Sequence, residues 1–438
     1  MGLLAAMAAV VTGAATETFW RSHGLKPSVP DSPTLWAIQR SRANGRAFGP
    51  PFDGSASGRS LSNSEATART GAPVVLLGAS RMHLGFDVAL CRQRLPGRPI
   101  CQLALPGTPP WAALGSLADD PDFPPPVGPA DDSRHDGTQT ADATAIALIS
   151  VSMQHLTTSQ LSAGSAYPRR WRRGVSVKET FESALTTTLH RQFAVTAPEA
   201  NPQAILSRIR QGRGVVPAFR RTMRADRAAW LTATRPDPAF LKKQAVLVRS
   251  ILGFPHAPAD RASAVALLAR QIATLQQRGV RVVLIGFPTG GDLAEAERRR
   301  FPRAADDGWD RLIVELQPDA AIHHADLPSA GTFHCPDWSH LDAASAARFT
   351  AEVLDELRCL GLLPAPIVRS AETAAGPSSG QPIVRSEVRE SSPRRRPIAC
   401  KRPEPNYFRP PRAIVCIGTA SLVRPPDGSS DFPLSYLK

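Results

Sequence analysis

Five short apolar stretches, each bounded by turn residues, follow one another along the chain. They are residues 73–80, 99–105, 145–153, 280–288 and 320–326. Their apolar character is almost continuous, which is typical of strands that are covered on both faces, whereas strands with one solvated face alternate. The pattern therefore predicts five buried, parallel strands.

Helical periodicity is clearest around the last two of these stretches. Residues 259–279, 307–317 and 342–363 carry apolar positions three and four residues apart, with Gly279 as a stop and Asp342 as an N-cap. Strands that alternate with helices build a parallel sheet between two helical layers. The predicted fold class is α/β, a doubly wound three-layer sandwich with a mainly parallel five-stranded sheet.

The remaining segments predict the domain organisation. Residues 22–71 are expected to form a stem and a flexible linker, and the stem includes a short helix near 35–42 with either Asp31 or Ser32 as its cap. The α/β domain follows over residues 72–363.

Two insertions interrupt this domain. Residues 121–142 are loop-like and acidic, and residues 154–258 are largely helical in pattern and rich in arginine. We expect the second insertion to cap the carboxyl ends of the strands. Residues 364–438 have no periodicity and many prolines, which predicts a disordered tail.

The N-terminus is apolar. Residues 1–16 carry no charged side chain, and Phe19, Trp20 and Arg21 then resemble the interfacial residues at the end of a membrane helix. A spanning helix needs about 20 apolar residues, and the apolar stretch here falls short of that length at its N-terminal end. Residues 1–21 are predicted to be a membrane anchor; the alternative is a buried N-terminal helix.

Charge and cysteine usage narrow the classes of partner. The net charge is +14, but residues 365–438 hold twelve basic and six acidic side chains, and the other arginines are scattered. No nucleic-acid partner is expected, because no binding-module fingerprint accompanies the charge. The six cysteines have no metal-binding spacing, so no metal or cofactor is predicted. Cys91 and Cys101 are either buried thiols or, in an oxidising compartment, a disulfide.

Candidate chemistry lies at the predicted carboxyl edge of the sheet, where ligands bind in open α/β folds. Ser80 ends the first strand in the motif GASR, and Arg81 after it is either an anion ligand or half of an ion pair. A serine nucleophile needs a base that a third group orients. Asp337 and His340, in the motif DWSH before the last helix, have a spacing that directs the carboxylate at one imidazole nitrogen.

These two motifs resemble the first and last sequence blocks of the SGNH (GDSL-like) hydrolases. The likeness extends to a membrane-tethered bacterial SGNH-like subgroup and covers roughly residues 17–48, 72–120, 145–153 and 260–361. It implies the flavodoxin-like SGNH fold. Carried over position by position, Ser80 is the nucleophile, Asp337 the orienting acid and His340 the base.

The resemblance also implies an oxyanion hole made by backbone N–H groups of Ser80 and Gly107. In the family an asparagine after the third strand donates as well. This chain has Ser150, Ser152 and Gln154 there and no asparagine, so serine, glutamine or a group from elsewhere would have to replace that donor.

The function that the resemblance implies is a serine esterase, or an O-acyl transferase or deacetylase. It would act through an acyl-enzyme on ester groups of cell-envelope glycans, with the domain membrane-anchored on the periplasmic side. The alternative is a catalytically inactive SGNH-like domain that binds a glycan or a protein partner at the envelope. The sequence contains no indication of the oligomeric state.

Overall fold

The structure is a computed structural model that describes most of the chain before residue 365. The described residues are 2–45, 71–125, 144–156, 164–233 except 213 and 218, seven positions between 242 and 253, and 258–364. Most of the predicted linker, most of the insertion 121–142 and the predicted disordered tail after residue 364 lie outside them.

The strands are β1 Val74–Leu77, β2 Ile100–Gln102, β3 Ile146–Ser150, β4 Phe219–Met223, β5 Ala229–Ala233, β6 Arg281–Gly286 and β7 Ala320–His323. The helices are α1 Gly2–Ser22, α2 Pro33–Ala43, α3 Ser80–Gly85, α4 Val88–Arg94, α5 Trp111–Ala118, α6 Ala166–Arg172, α7 Val177–Gln192, α8 Pro202–Arg210, α9 Pro258–Gln277, α10 Gly291–Arg300, α11 Trp309–Leu316 and α12 Ala343–Cys359.

A five-stranded parallel sheet forms the centre of the molecule, in the order β2-β1-β3-β6-β7. Successive strand residues point to opposite faces. Val75 and Leu77 lie in one apolar core with helices α5, α9 and α11. Val74 and Leu76 lie in a second core with α3, α4 and α12. The predicted α/β class and five-stranded parallel sheet are confirmed, because both faces are covered as the continuous apolar stretches require.

The helix boundaries near the end of the domain follow local signals. After α9, Gly279 has a φ of +78° and Val280 N donates to Leu275 O, which ends the helix in a left-handed turn. At α12 the Asp342 carboxylate accepts a hydrogen bond of 2.7 Å from Ser345 N, so the predicted N-cap is confirmed.

The stem packs on the domain through α2. Ser32, rather than Asp31, caps this helix by accepting a hydrogen bond of 3.2 Å from Leu35 N. Trp36 is fully buried, and its indole N–H donates to Leu103 O at 2.9 Å. The helix is therefore part of the α/β core and not only a connection.

The insertion 154–258 contains a feature that sequence reasoning missed. Besides α6, α7 and α8 it holds an antiparallel hairpin, β4–β5. Its second strand contacts both α3 and α12, and Leu231 bridges to Asp342. The insertion thus reaches the side of the sheet that carries the candidate site.

The N-terminal prediction is wrong. In the part of the chain that the structure describes, no helix is both long enough and apolar enough to cross a bilayer. Trp20, expected at a membrane interface, is only 3% exposed and packs with Ala194 and Ala197. Glu17 accepts 2.9 Å hydrogen bonds from the N–H groups of Ala194 and Val195. The end of α1 contacts protein, and the membrane-anchored, periplasmic localisation loses the observation that supported it.

Candidate active site

Ser80 lies where β1 gives way to α3. Gly78 precedes it with a φ of +145°, and a Cβ there would lie 2.9 Å from Ser150 Cβ and 3.0 Å from Ser150 O. Only glycine permits this approach. Ala79 occupies the N-cap position, and half-buried Ser80 is the first helical residue. The turn therefore places Ser80 at the carboxyl edge of the sheet, as predicted.

Asp337 and His340 form a hydrogen-bonded pair in the loop before α12. The distance between His340 Nδ1 and Asp337 Oδ2 is 2.7 Å. The other oxygen, Oδ1, accepts from the backbone N–H groups of His340 at 2.7 Å and Ser339 at 3.0 Å. Burial raises the pKa of Asp337, but these bonds and the charge of His340 outweigh it, so the pKa lies below its usual value. The carboxylate is held ionised against the ring.

The opposite nitrogen of His340, Nε2, makes no hydrogen bond within the described part of the chain. With Nδ1–H donating to the carboxylate, Nε2 carries the lone pair of the neutral ring. Nε2 is also buried. A buried acceptor without a partner is uncommon in folded proteins. A carboxylate on one ring nitrogen and no partner on the other is the geometry that a general base requires.

The structure brings Ser80 and His340 to neighbouring elements without a hydrogen bond between them. Helix α3, which Ser80 begins, packs against α12. Leu341, next to His340, has its Cδ1 3.6 Å from the Cβ position of Gly85 at the end of α3. Hydrogen bonds between a nucleophile and its base are often long before substrate binds and then tighten.

Gly107 lies in the loop after β2, beside the turn that carries Ser80. Leu105 N donates to Gly78 O at 2.8 Å, which ties the two loops together. Gly107 has a φ of +72°, is exposed, and has no atom within 4 Å of its Cβ position. Gly107 is therefore an exposed residue with open space at its Cβ position.

The carboxyl end of β3 carries polar groups where the resemblance implies an asparagine. Ser150 and Ser152 are buried, and Gln154 Oε1 is buried with no hydrogen-bond partner in the described part of the chain. Ser150 packs against Gly78.

Arg81 is half of an ion pair. Its Nη2 lies 2.5 Å from Glu297 Oε1, and Thr289 Oγ1 donates to the other oxygen at 3.0 Å. Both groups of the pair are mostly buried. Of the two interpretations of Arg81, the ion pair is the one that the structure contains.

Three cysteines of the described residues, Cys91, Cys101 and Cys335, are free and buried. Cys91 and Cys101 are free and buried, so the disulfide interpretation is not realised. Cys335 is also free, and burial raises its pKa to about 12, which disfavours a thiolate. Over the described ranges, no group of three or more His, Cys, Asp or Glu is arranged to hold a metal ion.

Trp338 shapes the Asp337–His340 turn, a role that the sequence did not reveal. Its φ is +65°, uncommon for a bulky residue. Its carbonyl accepts from Gly290 N at 2.9 Å, and its ring packs over Gly291, whose Cβ would lie 2.6 Å from Trp338 Cδ1. The paired glycines after β6 are the only sequence signal of this contact.

Gly291→Ala is expected to displace the Trp338 ring. Gly97→Ala is the matched control, because Gly97 also has positive φ but has no atom within 4 Å of its Cβ position. The control should cost about 1 kcal/mol of backbone strain, and Gly291→Ala about 1–3 kcal/mol more through overpacking. Urea unfolding measures both. Equal losses would contradict the packing described for Trp338.

No protein-family model, no curated protein and no solved structure matches this chain. The likeness to SGNH hydrolases therefore rests on the motifs around Ser80 and His340 themselves.

Proposed function

We propose that the protein is a serine hydrolase of the SGNH type, an esterase or O-acyl transferase in which Ser80, His340 and Asp337 act together. The observation that carries the proposal is the ionised Asp337 bonded to Nδ1 of His340, with the buried Nε2 left without a partner. His83 and His324 also leave one buried ring nitrogen without a partner among the described residues, but their other nitrogens contact backbone groups. The carboxylate on Nδ1 is what distinguishes His340 from them.

The fold is compatible with this proposal. The strand order β2-β1-β3-β6-β7 is that of doubly wound, flavodoxin-like sheets, whose ligands bind where the order reverses, between β1 and β3. Ser80 follows β1, and Ser150 and Ser152 lie at the end of β3. The candidate nucleophile therefore lies at the position where such sheets bind ligands.

The chemistry would proceed through an acyl-enzyme. Ser80 Oγ attacks the ester carbonyl while His340 Nε2 accepts its proton, and Asp337 stabilises the imidazolium. The backbone N–H groups of Ser80 and Gly107 donate hydrogen bonds to the oxyanion that forms. His340 returns the proton to the departing alkoxide. Water or a sugar hydroxyl then attacks the acyl group with His340 again as base, and Ser80 is regenerated.

Acylated glycans are the substrate class that we propose, on the basis of the motif resemblance. Hydrolysis and acyl transfer differ only in whether water or a sugar hydroxyl attacks the acyl-enzyme. Measuring acetate release from acetylated glycans, with and without added sugar acceptors, separates the two reactions.

Covalent labelling tests the nucleophile. A fluorophosphonate should modify the wild-type protein at Ser80, as located by peptide mass spectrometry. Ser80→Ala should abolish labelling, and His340→Ala should slow it by about 10²–10⁴-fold, because the general base is lost. Exposed Ser263 on α9 offers a control, since Ser263→Ala should label at the wild-type rate.

The second candidate function is a catalytically inactive domain that binds a glycan or a protein. It is favoured by the missing asparagine after β3, since the loss of one oxyanion donor typically costs about 3 kcal/mol in the transition state. A folded wild-type protein that neither labels nor hydrolyses p-nitrophenyl acetate would contradict the esterase and favour this second function class.

A further inference from the structure

A second charged group, separate from Asp337 and His340, lies beneath the candidate site. Arg227, in the turn between β4 and β5, is fully buried and has a φ of +60°. Its Nε and Nη2 donate to the two carboxylate oxygens of Asp31, each at 2.9 Å. Asp31, the stem residue that does not cap α2, thus binds the guanidinium in a bidentate ion pair.

The other donors of Arg227 reach the end of β2. Nη1 donates to Gln102 O at 2.7 Å, and Nη2 also donates to Ala104 O at 2.9 Å. These carbonyls precede Gly107 in the same short segment. The guanidinium therefore fixes the start of the loop that carries one proposed oxyanion donor.

The backbone of Arg227 contacts α3, the helix that begins at Ser80. Its carbonyl accepts a hydrogen bond of 3.0 Å from Nε2 of His83, which lies in α3 one turn after Ser80. His83 is fully buried, and burial together with the charge of Arg227 lowers its pKa to about 3, so the ring stays neutral with Nε2–H as donor. Arg227 thus contacts both α3 and the segment that leads into the Gly107 loop.

A glutamine closes the same network. Gln102 Nε2 donates to Met82 O in α3 at 3.3 Å, and its Oε1 accepts from Ala104 N at 3.1 Å. Helix α3 and residues 102–105 are therefore joined by side-chain bonds as well as through Arg227.

The energetics of buried ion pairs favour a positioning role for Arg227 over a role in stabilising the fold. Removing two charges from water costs several kcal/mol for each ion, and apolar replacements of buried ion pairs are often neutral or stabilising. What a planar guanidinium adds is a fixed fork that aligns several acceptors at once. In this chain the acceptors are Asp31, Gln102 O and Ala104 O.

We infer that Arg227, held by Asp31, is a positioning residue that sets the separation of α3 and the Gly107 loop. The inference deepens the proposed esterase function and rests on it: the stem and the hairpin of the insertion become part of the active-site scaffold. Arg227 does not contact the reacting atoms; it acts through His83 and residues 102–104.

Asp31→Asn and Arg227→Lys test the inference, and Asp120→Asn is the matched control. Asp120 also pairs with a buried stem arginine, Arg40, at 2.6 Å. The described contacts of that pair do not include α3 or the Gly107 loop. Asparagine keeps the shape of aspartate and removes its charge, while lysine keeps the charge of Arg227 and loses the fork. All variants are assayed below their unfolding temperatures.

We expect Asp31→Asn and Arg227→Lys to lower the maximal rate of fluorophosphonate labelling by about tenfold or more, since small displacements of reacting groups are costly. The reagent concentration for half-maximal rate should change little. Asp120→Asn should label within about twofold of wild type, although breaking its buried pair also lowers stability. Wild-type labelling by folded Asp31→Asn, or an equal loss in Asp120→Asn, would overturn the inference.

Hydrogen exchange measured by mass spectrometry provides a readout that is independent of catalysis. The amides of Ala104, Leu105 and Gly107 should exchange faster in Asp31→Asn and Arg227→Lys than in wild type, and not in Asp120→Asn. If wild type does not label, the proposed function fails while this comparison still tests the network. Unchanged exchange at these amides in both test variants would overturn the positioning role even if wild type is active.

Discussion

Asp337→Asn is expected to lower esterase turnover by about 10³–10⁴-fold while the protein stays folded. An asparagine amide donates to His340 Nδ1, where the carboxylate accepted at 2.7 Å. The ring is then driven to the tautomer with the proton on Nε2, which removes the lone pair that would take the proton of Ser80. Turnover of p-nitrophenyl acetate and the rate of fluorophosphonate labelling measure the effect.

Asp342→Asn is the matched control for this substitution. Asp342 lies in the same loop and also pairs with a histidine, His334 Nδ1, at 2.8 Å. An asparagine there retains the N-cap function, and His334 is largely exposed. Asp342→Asn is expected to keep activity within about twofold of wild type, since solvent-exposed charge pairs contribute little free energy. Equal activity of Asp337→Asn and wild type would contradict the proposed triad.

The low pKa of Asp337 adds an expectation for acid conditions. Because the folded protein lowers this pKa below the value in the unfolded chain, the carboxylate stabilises the fold above the unfolded pKa. That stabilisation is lost as the pH falls through the lowered, folded value. Asp337→Asn should therefore flatten the dependence of unfolding free energy on pH in that acidic range.

Trp36→Ala is expected to cost about 3–5 kcal/mol of unfolding free energy, the range for deleting a large buried aromatic side chain. Trp36 is fully buried in the core formed by α5, α9 and α11, and its indole N–H donates to Leu103 O. The rings of Trp36 and Tyr167 also pack edge to face, with their centroids 6.2 Å apart. Denaturant unfolding measures the loss.

Trp36→Phe separates the packing of this residue from its hydrogen bond. Phenylalanine keeps most of the apolar volume and leaves Leu103 O without its donor, so a smaller loss of about 1–2 kcal/mol is expected. If Trp36→Ala cost less than about 1 kcal/mol, α2 would not fold as part of the α/β domain, and the network through Asp31 would lose its anchor.

The sheet was predictable because its signal is local. Each strand is buried on both faces, so its residues are apolar without interruption, and burial of this kind can be inferred from composition alone. The Asp337–His340 pair was predictable for a similar reason. A spacing of three residues within one turn lets the carboxylate reach the ring whatever the rest of the chain does.

The hairpin β4–β5 and the N-terminal helix were not predictable in this way. Two five-residue strands lie within an arginine-rich segment, and their stability comes from contacts with α3 and α12. An apolar helix suits a bilayer or a protein surface equally well. For α1 the burial of Trp20 against Ala194, far along the chain, shows that its final turns meet protein.

The sequence by itself determined the α/β class, the sheet strands, the cap at Asp342 and the local pairing of Asp337 with His340. Tertiary structure alone decided which charges meet. From the sequence, Asp31 and Ser32 were equal candidates for the helix cap. In the folded chain both carboxylate oxygens of Asp31 accept hydrogen bonds from Arg227, 196 residues away. Arg81 likewise forms an ion pair with Glu297, which lies 216 residues further along the chain. Ion pairs have no periodicity and no fixed spacing, so their partners follow only from the way the chain folds.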